Sequence, residues 1–259
     1  MKKQIFAILT LLPLAAACGT QETPRSGNTL SNQFDQVLDR ADTLTFGVNN
    51  DIWTTTDARI SWKSGPDAFP FPVEGSARKI VRFPGSPAED PAILALGRSG
   101  MVSILADAAD PLSGWVALIG NCGRDLAAGP AGIWCITRQG RISTRKGYLW
   151  GWEIQLNAPK DGAMLAVGDQ VWLLDRSGRL FQKPGPSTGW VPVSVPPGTV
   201  KIFAEKSTLW TLDVFGTVSQ LSGEGYKVMP ELTGISDLAV DVNGKLAVRR
   251  DGVWINSAE

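Results

Sequence analysis

Short apolar runs alternate with turn-forming residues along the chain from about residue 34 onwards. The segment 152–182 is typical, with apolar runs at 152–156, 164–167, 171–174 and 179–182 that are separated by Gly, Pro, Asp and Asn. Runs of four or five residues are too short for helices and suit the strands of β-hairpins. No stretch has a convincing helical periodicity, so the pattern predicts an all-β fold.

The runs belong to an internal repeat in which an aliphatic residue precedes a Trp and a Gly follows six residues later. Three copies align directly at Trp134, Trp172 and Trp210, at a spacing of 38 residues. The strings 93–100 and 246–252 fit the same frame without the Trp. A fixed period of this length is typical of repeat architectures such as propellers and solenoids.

A second repeated aromatic position divides the chain into six units of about 35–46 residues, each with four apolar runs. The units begin near Phe34, Phe69, Trp115, Trp152, Trp190 and Tyr226. Six units of four strands predict a six-bladed β-propeller over residues 34–259. A β-sandwich is the structural alternative, but a sandwich has no reason to repeat this regularly. Two routes to ring closure stay open: the strand at 253–255 pairs within its own blade, or residues 34–38 complete the sixth blade.

The repeat pattern resembles that of the tectonin family of β-propellers, whose units open with Gly-Trp and continue with Val-Trp and a Gly turn. The resemblance covers nearly all of residues 34–255 and rests on the whole series of units. The first and sixth units depart from it most. Tectonin-like propellers include lectins that bind glycans and lipopolysaccharide, so the resemblance implies binding and not catalysis.

Successive turns of an antiparallel meander point to opposite faces of a propeller, so the loops fall into two groups. We define face A as the face that carries the Gly-ending turns, at 98–100, 138–140, 176–178, 214–216 and 250–252. Face B carries the longer insertions, at 84–91, 105–113 and 146–151.

Arginine occupies one equivalent position in four of the five face A turns: Arg98, Arg138, Arg176 and Arg250. Arg141 and Arg179 lie just beyond the Gly in adjacent units. Guanidinium groups bind phosphate and carboxylate through paired donors, so the series predicts an anion-binding rim. The alternative is that Arg is merely a soluble residue of an exposed turn, with Asp175 and Asp251 neutralising their neighbours.

The aromatic residues favour structural roles. Trp115, Trp152 and Trp190 share one repeat position, and Trp53, Trp134, Trp172 and Trp210 share another. Repeated aromatics of this kind are expected to join neighbouring blades. Tyr148 and Trp150 lie in a face B loop, where they either stack on a sugar ring or pack the loop on its own blade.

Cys122 and Cys135 are the only cysteines after Cys18. An oxidising compartment favours a disulfide between them. A hairpin register that places Leu126 opposite Cys135 argues against it, because it leaves Cys122 near the other end of the strand. Since a disulfide needs Cα atoms within about 7 Å, both outcomes stay open.

The composition excludes several functions. Lys and Arg together number 25, as do Asp and Glu, so no net charge draws the chain to nucleic acid. The absence of histidine excludes a Ser-His-Asp or Cys-His site and any His-ligated metal. No phosphate-binding loop or dinucleotide motif occurs, and turn chemistry accounts for most Asp residues. We therefore predict no catalysis, no cofactor and no metal.

The N-terminus has the layout of a bacterial lipoprotein signal: Met1-Lys2-Lys3, an apolar run at 5–14, Ala15-Ala16-Ala17 and then Cys18. The string Leu14–Cys18 resembles a lipobox, which implies a signal peptide at 1–17 and a lipid on Cys18. Residues 18–33 then form a Ser/Thr/Pro/Gly-rich tether. An ordinary signal peptide with an incidental Cys is the alternative. Gly19 implies sorting to the outer membrane if the source has one.

Together these features predict a noncatalytic binding module at the cell envelope, anchored to a membrane through its lipid. A glycan or an anionic lipid-sugar such as lipopolysaccharide is the expected ligand class. The alternative is a protein-docking scaffold that holds an envelope protein partner through one face.

Overall fold

The computed structural model describes residues 41–256, except 48, 50, 66, 67, 87, 88, 150, 224 and 242. The described residues contain 23 β-strands in six antiparallel sheets and no helix. The predicted all-β, six-bladed propeller is confirmed. Among the described residues, no helix has the length and apolar character needed to cross a membrane. The predicted signal peptide, residues 1–17, and the predicted tether, residues 18–33, lie outside the described residues.

Each blade is a meander whose strands follow one another from the centre outwards. Blade 1 comprises β1 (Thr43–Phe46), β2 (Ile52–Thr56), β3 (Arg59–Lys63) and β4 (Phe71–Ser76). Blade 2 comprises β5 (Lys79–Phe83), β6 (Ala92–Leu96), β7 (Met101–Leu105) and β8 (Trp115–Asn121). Blade 3 comprises β9 (Asp125–Gly129), β10 (Gly132–Ile136), β11 (Ile142–Arg145) and β12 (Glu153–Ile154).

Blade 4 comprises β13 (Gly162–Val167), β14 (Val171–Asp175), β15 (Leu180–Lys183) and β16 (Val191–Val193). Blade 5 comprises β17 (Thr199–Glu205), β18 (Thr208–Asp213), β19 (Val218–Ser222) and β20 (Gly225–Met229). Blade 6 has three strands among the described residues: β21 (Ile235–Val240), β22 (Leu246–Arg250) and β23 (Val253–Asn256).

The blades differ from the predicted units by one strand. Trp115 and Trp152 begin or precede the outermost strand of blades 2 and 3, whereas the prediction placed them at the start of a new unit. A periodic sequence has no unique starting point, so the repeat alone does not say where a blade begins. In the structure, each blade begins with its innermost strand, which directly follows the connection from the preceding blade.

The ring closes between the last blade and the first. The innermost strands contact one another in chain order, and β21 of blade 6 also contacts β1 of blade 1. Trp254 on β23 donates its indole N–H to the carbonyl oxygen of Ala41, at 3.1 Å. Because β23 pairs with β22, the last strand joins its own blade. The other closure route, through residues 34–38, lies outside the described residues.

The core is divided into six hydrophobic clusters, one at each junction between neighbouring blades. Two edge-to-face Trp pairs lie at these junctions. Trp53 of blade 1 meets Trp115 of blade 2 at 6.2 Å between ring centroids, and Trp134 of blade 3 meets Trp190 of blade 4 at 6.0 Å. The expectation that repeated aromatics join blades is confirmed, because residues from the two repeat positions pair across each of these junctions.

Candidate docking face

Backbone hydrogen bonds show which loops share face A. At several junctions the residue that opens the next blade donates its N–H to the turn between the second and third strands of the preceding blade. The pairs are Ala77 N to Ala58 O (2.9 Å), Cys122 N to Gly100 O (2.8 Å), Gly162 N to Gly140 O (3.3 Å) and Ile235 N to Gly216 O (3.0 Å). The predicted grouping of the Gly-ending turns on one face is confirmed.

Glycine is required at these turns for two reasons. Gly100 and Gly216 have φ of +89° and +79°, in the left-handed region that side chains disfavour. A Cβ on Gly216 would also lie 2.6 Å from the backbone nitrogen of Ile235. The repeated Gly therefore permits the close approach of two blades on face A.

The carboxylates before these glycines stabilise the turns. Asp175 Oδ1 accepts the backbone N–H groups of Ser177 and Arg179, at 2.8 and 3.0 Å. Burial opposes ionisation of Asp175, but hydrogen bonds from Ser177 and Arg179 outweigh it and hold the pKa of that carboxyl below its usual value. Asp213 Oδ1 likewise accepts the N–H groups of Phe215 and Thr217. The turn-forming role predicted for Asp175 is confirmed, and Asp213 has the same role in blade 5.

The repeated arginine position is in part structural. Arg138 donates to the carbonyl oxygen of Ser99 in the preceding blade, at 2.9 Å, and Arg98 reaches Asp57 O in the same way at 3.5 Å. Arg250 donates to Glu231 O in the connection between blades 5 and 6, at 3.1 Å. These three side chains link neighbouring units. Their structural role explains why Arg recurs at this position without any need for a ligand.

Two other arginines are free to bind. Arg141 and Arg176 are exposed, and within the described part of the chain their guanidinium groups have no hydrogen-bond or ion-pair partner. Arg179 is 71% exposed although its Nε lies 2.8 Å from Asp175 Oδ2, and its guanidinium carbon lies 5.6 Å from the Phe181 ring centroid. Blades 3 and 4 therefore carry the available part of the predicted rim.

An axial pocket of about 480 Å³ lies at the centre of the ring and is lined by the innermost strands of all six blades. Arg82 Nη2 donates to both carboxylate oxygens of Glu205, at 2.9 and 3.0 Å, near the face B ends of β5 and β17. Blades 2 and 5 are opposite one another in a six-membered ring, so this ion pair spans the channel. The pair obstructs the face B end of the channel, and we refer to the face A end as the mouth of the pocket.

The mouth of the pocket is charged. Lys79 Nζ lies 2.7 Å from Asp125 Oδ1, and Lys201 Nζ lies 3.0 Å from Asp237 Oδ2. Asp125 also accepts the backbone N–H of Leu165, at 2.8 Å, and so joins blades 2, 3 and 4. The ion pairs fix the shape of the mouth by linking adjacent innermost strands.

Charge is divided between the two halves of face A. Basic side chains predominate on blades 2 to 4: Arg78, Lys79, Arg98, Arg124, Arg138, Arg141, Lys160, Arg176 and Arg179, against Asp125, Asp161 and Asp175. Acidic side chains predominate on blades 5, 6 and 1: Asp42, Asp57, Asp213, Glu231, Asp237 and Asp251, against Arg59, Lys201, Arg249 and Arg250. Face A is therefore electrically polarised although the chain has no net charge.

An apolar patch lies on the acidic half. Phe215 and Val214 occupy the turn of blade 5 where other blades carry Arg, and they are 82% and 60% exposed. Val214 N donates to Gly198 O, two residues before Val200, which is 47% exposed and lines the axial pocket. Exposed apolar side chains beside a pocket are typical of interaction sites.

The predicted aromatic site on face B has a structural explanation. Tyr148 is half-buried, and its ring meets that of Phe83 in blade 2 edge to face, at 6.4 Å. It packs on the preceding blade, whereas the prediction considered packing on its own blade. Trp150 lies outside the described residues.

Beside it, Glu89 is a buried carboxylate that the sequence analysis missed. It accepts the N–H groups of Tyr148 and Leu149, each at 2.9 Å. The guanidinium carbon of Arg145 lies 5.2 Å from the Trp152 ring centroid, and burial lowers the pKa of Arg145. No sequence motif could have revealed Glu89, because its partners lie about sixty residues away in another blade.

Cys122 and Cys135 are both buried within one core cluster, and no disulfide joins them in the structure. Cys18 lies outside the described residues. Among the described residues, no group of three His, Cys, Asp or Glu side chains could hold a metal ion.

No family model matches this chain, and neither does any curated protein. Solved structures share its fold. YCF48 bound to a D1 peptide has a TM-score of 0.56 and 15% identity, over 85% of this chain and 79% of that one. BBS1N in complex with ARL6DN has a TM-score of 0.55 and 14% identity, over 83% of this chain and 76% of that one. Yeast RCC1 (Prp20) bound to Kap60 has a TM-score of 0.54 and 8% identity, over 80% of this chain and 69% of that one. At these identities the likeness shows a β-propeller fold alone.

Proposed function

We propose that this protein is a noncatalytic docking module that holds a protein partner on face A. The observation that carries the proposal is the composition of that face: free guanidinium groups on blades 3 and 4, an acidic half, and exposed Val214 and Phe215 beside the axial pocket. Interfaces between proteins combine these elements, with an apolar or aromatic anchor inside a charged rim.

The division of charge favours a protein over a polyanion. A repeating anionic glycan would place negative charge on the acidic half of face A, where like charges repel. A protein segment can present carboxylates to Arg141 and Arg176 and an apolar side chain to Phe215. The solved propellers named above were obtained with protein or peptide partners, which supports the same class of ligand.

The tectonin-like resemblance and its implied glycan binding form the competing hypothesis. The one sugar-stacking candidate that the structure describes, Tyr148, is engaged with Phe83. Within the arginine series, only Arg141, Arg176 and Arg179 are available to bind an anionic glycan. The other three members already bond to neighbouring units.

We also propose that the propeller is exported and anchored through a lipid on Cys18. Two or three acyl chains anchor a protein stably, whereas one binds only marginally. A Cys18→Ser variant should leave the membrane fraction or stay uncleaved. Unchanged membrane fractionation with intact lipid labelling of that variant would overturn the anchor.

The docking proposal is tested with a face A variant, R141Q/R176Q with Phe215→Ser, and a face B control, K146Q/K206Q. Every changed side chain is exposed, so all forms should fold with similar stability. Each form is used as bait on native envelope extract, and bound protein and glycan are quantified by mass spectrometry.

The expected result is one protein partner that is retained at constant stoichiometry by the wild type and the face B control and lost by the face A variant. Retention should weaken as salt rises, because exposed charges are screened. Retention of a glycan or lipopolysaccharide in place of a protein would favour the lectin hypothesis. Equal retention by all three forms would contradict docking on face A.

A further inference from the structure

The register around Cys135 is as the sequence predicts, but the position of Cys122 is not. Cys135 on β10 lies opposite Leu126 on β9. Just before β9, the chain turns back on itself at Gly123, whose φ is +66°. Arg124 N donates to both Cys122 O (2.7 Å) and Ile136 O (2.8 Å). The turn therefore brings Cys122 back beside β10, whereas an extended strand would have carried it away.

The two thiols share one environment. Both belong to the cluster between blades 2 and 3, with 0% and 1% exposure. Burial raises the pKa of the Cys122 thiol, and its hydrogen bond with Cys135 raises it further. Nearby Asp125 acts in the same direction and Arg145 in the opposite one. As long as the blades are packed, the Cys122 thiol is kept neutral, and burial shields both side chains from an oxidant in solution.

We propose that Cys122 and Cys135 form a disulfide as the exported chain folds. In this step each sulfur loses a proton and the pair loses two electrons, and an S–S bond forms. The oxidant is the disulfide of a thiol–disulfide oxidoreductase, which is reduced to two thiols. The proposal rests on export to an oxidising compartment and not on the docking function.

The bridge has a consequence for face A. It would fasten the connection between blades 2 and 3 directly beneath the basic half. Cys122 N bonds to Gly100 O, and Gly123 O accepts the Arg78 guanidinium at 2.6 Å. A covalent link at this point holds the turns of blades 2 and 3 in fixed relative positions.

The full-length protein is exported in a bacterial host, and the cells are quenched with acid and then denatured in the presence of an alkylating agent, so that buried thiols are reached before they can oxidise. The protein is digested with trypsin without reductant. Cleavage after Arg98, Arg124 and Arg138 separates the cysteines into peptides 99–124 and 125–138. We expect the two peptides to run as one linked species that disappears on reduction. A Cys122→Ala/Cys135→Ala variant is the control and should yield neither the linked species nor alkylation at these positions.

Reduction of the wild type should also lower its Tm by about 5–10 °C. The disulfide closes the loop between Cys122 and Cys135, and its reduction restores conformational entropy to the unfolded chain. The double variant should not respond to reductant. Recovery of both peptides fully alkylated, from protein that is folded and exported, would overturn the proposal. That result would leave docking untouched, because the face A side chains named above are unchanged.

Discussion

At the scale of single residues, buried polar side chains connect segments that are distant in sequence. Glu89 lies in the loop between β5 and β6, and its carboxylate receives two backbone N–H groups from the loop between β11 and β12. A Cβ on Gly147 would lie 1.7 Å from Glu89 Oε2, so that position must be glycine for the carboxylate to fit. Glu89 thereby determines the conformation of a loop in the next blade.

Replacing Glu89 by Ala should destabilise the protein by about 2–3 kcal/mol, because two partly buried N–H groups lose a charged acceptor. Asp90→Ala is the matched control, since Asp90 is adjacent and exposed, and should change stability by less than about 0.5 kcal/mol. Urea unfolding followed by Trp fluorescence measures both. Equal effects of the two variants would show that the Glu89 contacts contribute nothing.

At the scale of strands and blades, stability depends on the junctions. Every cluster of the core combines side chains from two neighbouring blades, so a blade buries its apolar faces only against its neighbours. The repeated aromatics mark these junctions, as the Trp134–Trp190 pair shows.

A Trp134→Ala variant should therefore lose about 3–5 kcal/mol, from the cavity and from the lost edge-to-face contact. Val191→Ala, beside Trp190 and half exposed, is the control and should cost little. Differential scanning calorimetry of the two variants provides the comparison. A Trp134→Ala variant as stable as the Val191→Ala variant would contradict a junction-based core.

Prediction from sequence succeeded where local chemistry repeats. The Trp and Gly positions gave the number of blades and the grouping of the turns, because each blade uses the same residues for the same purpose. It failed where partners are distant: Arg82 and Glu205 are separated by 123 residues, and no local pattern connects them. The Arg series was found for a local reason, but only coordinates reveal that Arg98, Arg138 and Arg250 bond to preceding units.

At the scale of the whole molecule, the ring is a closed structure in which no described blade stands alone. Contact of β21 with β1, together with the bond from Trp254 to Ala41, joins the last blade to the first. The Arg82–Glu205 pair adds a link across the ring. Closure also buries the apolar faces of blades 6 and 1, which would promote aggregation if exposed.

Deleting residues 247–259 removes β23 and most of β22, and with them the bond from Trp254 to Ala41 and the Ala247 and Trp254 side chains of the cluster between blades 6 and 1. The shortened chain should lose cooperative thermal unfolding and should aggregate, because blades 1 and 6 would then expose apolar faces. Calorimetry and light scattering measure the two effects. A single sharp transition at the unchanged midpoint would contradict ring closure through blade 6.

The central claim, that face A holds a protein partner, is tested most directly by site-specific photocrosslinking in the native host. A photoreactive amino acid is placed at Gln139 or Ser177 on face A, and at Asp169 or Ser187 on face B, four exposed positions on the two sides of the disc. We predict that one protein crosslinks from both face A positions and from neither face B position, and that R141Q/R176Q abolishes the crosslink. Protein crosslinks from face B alone would contradict the account.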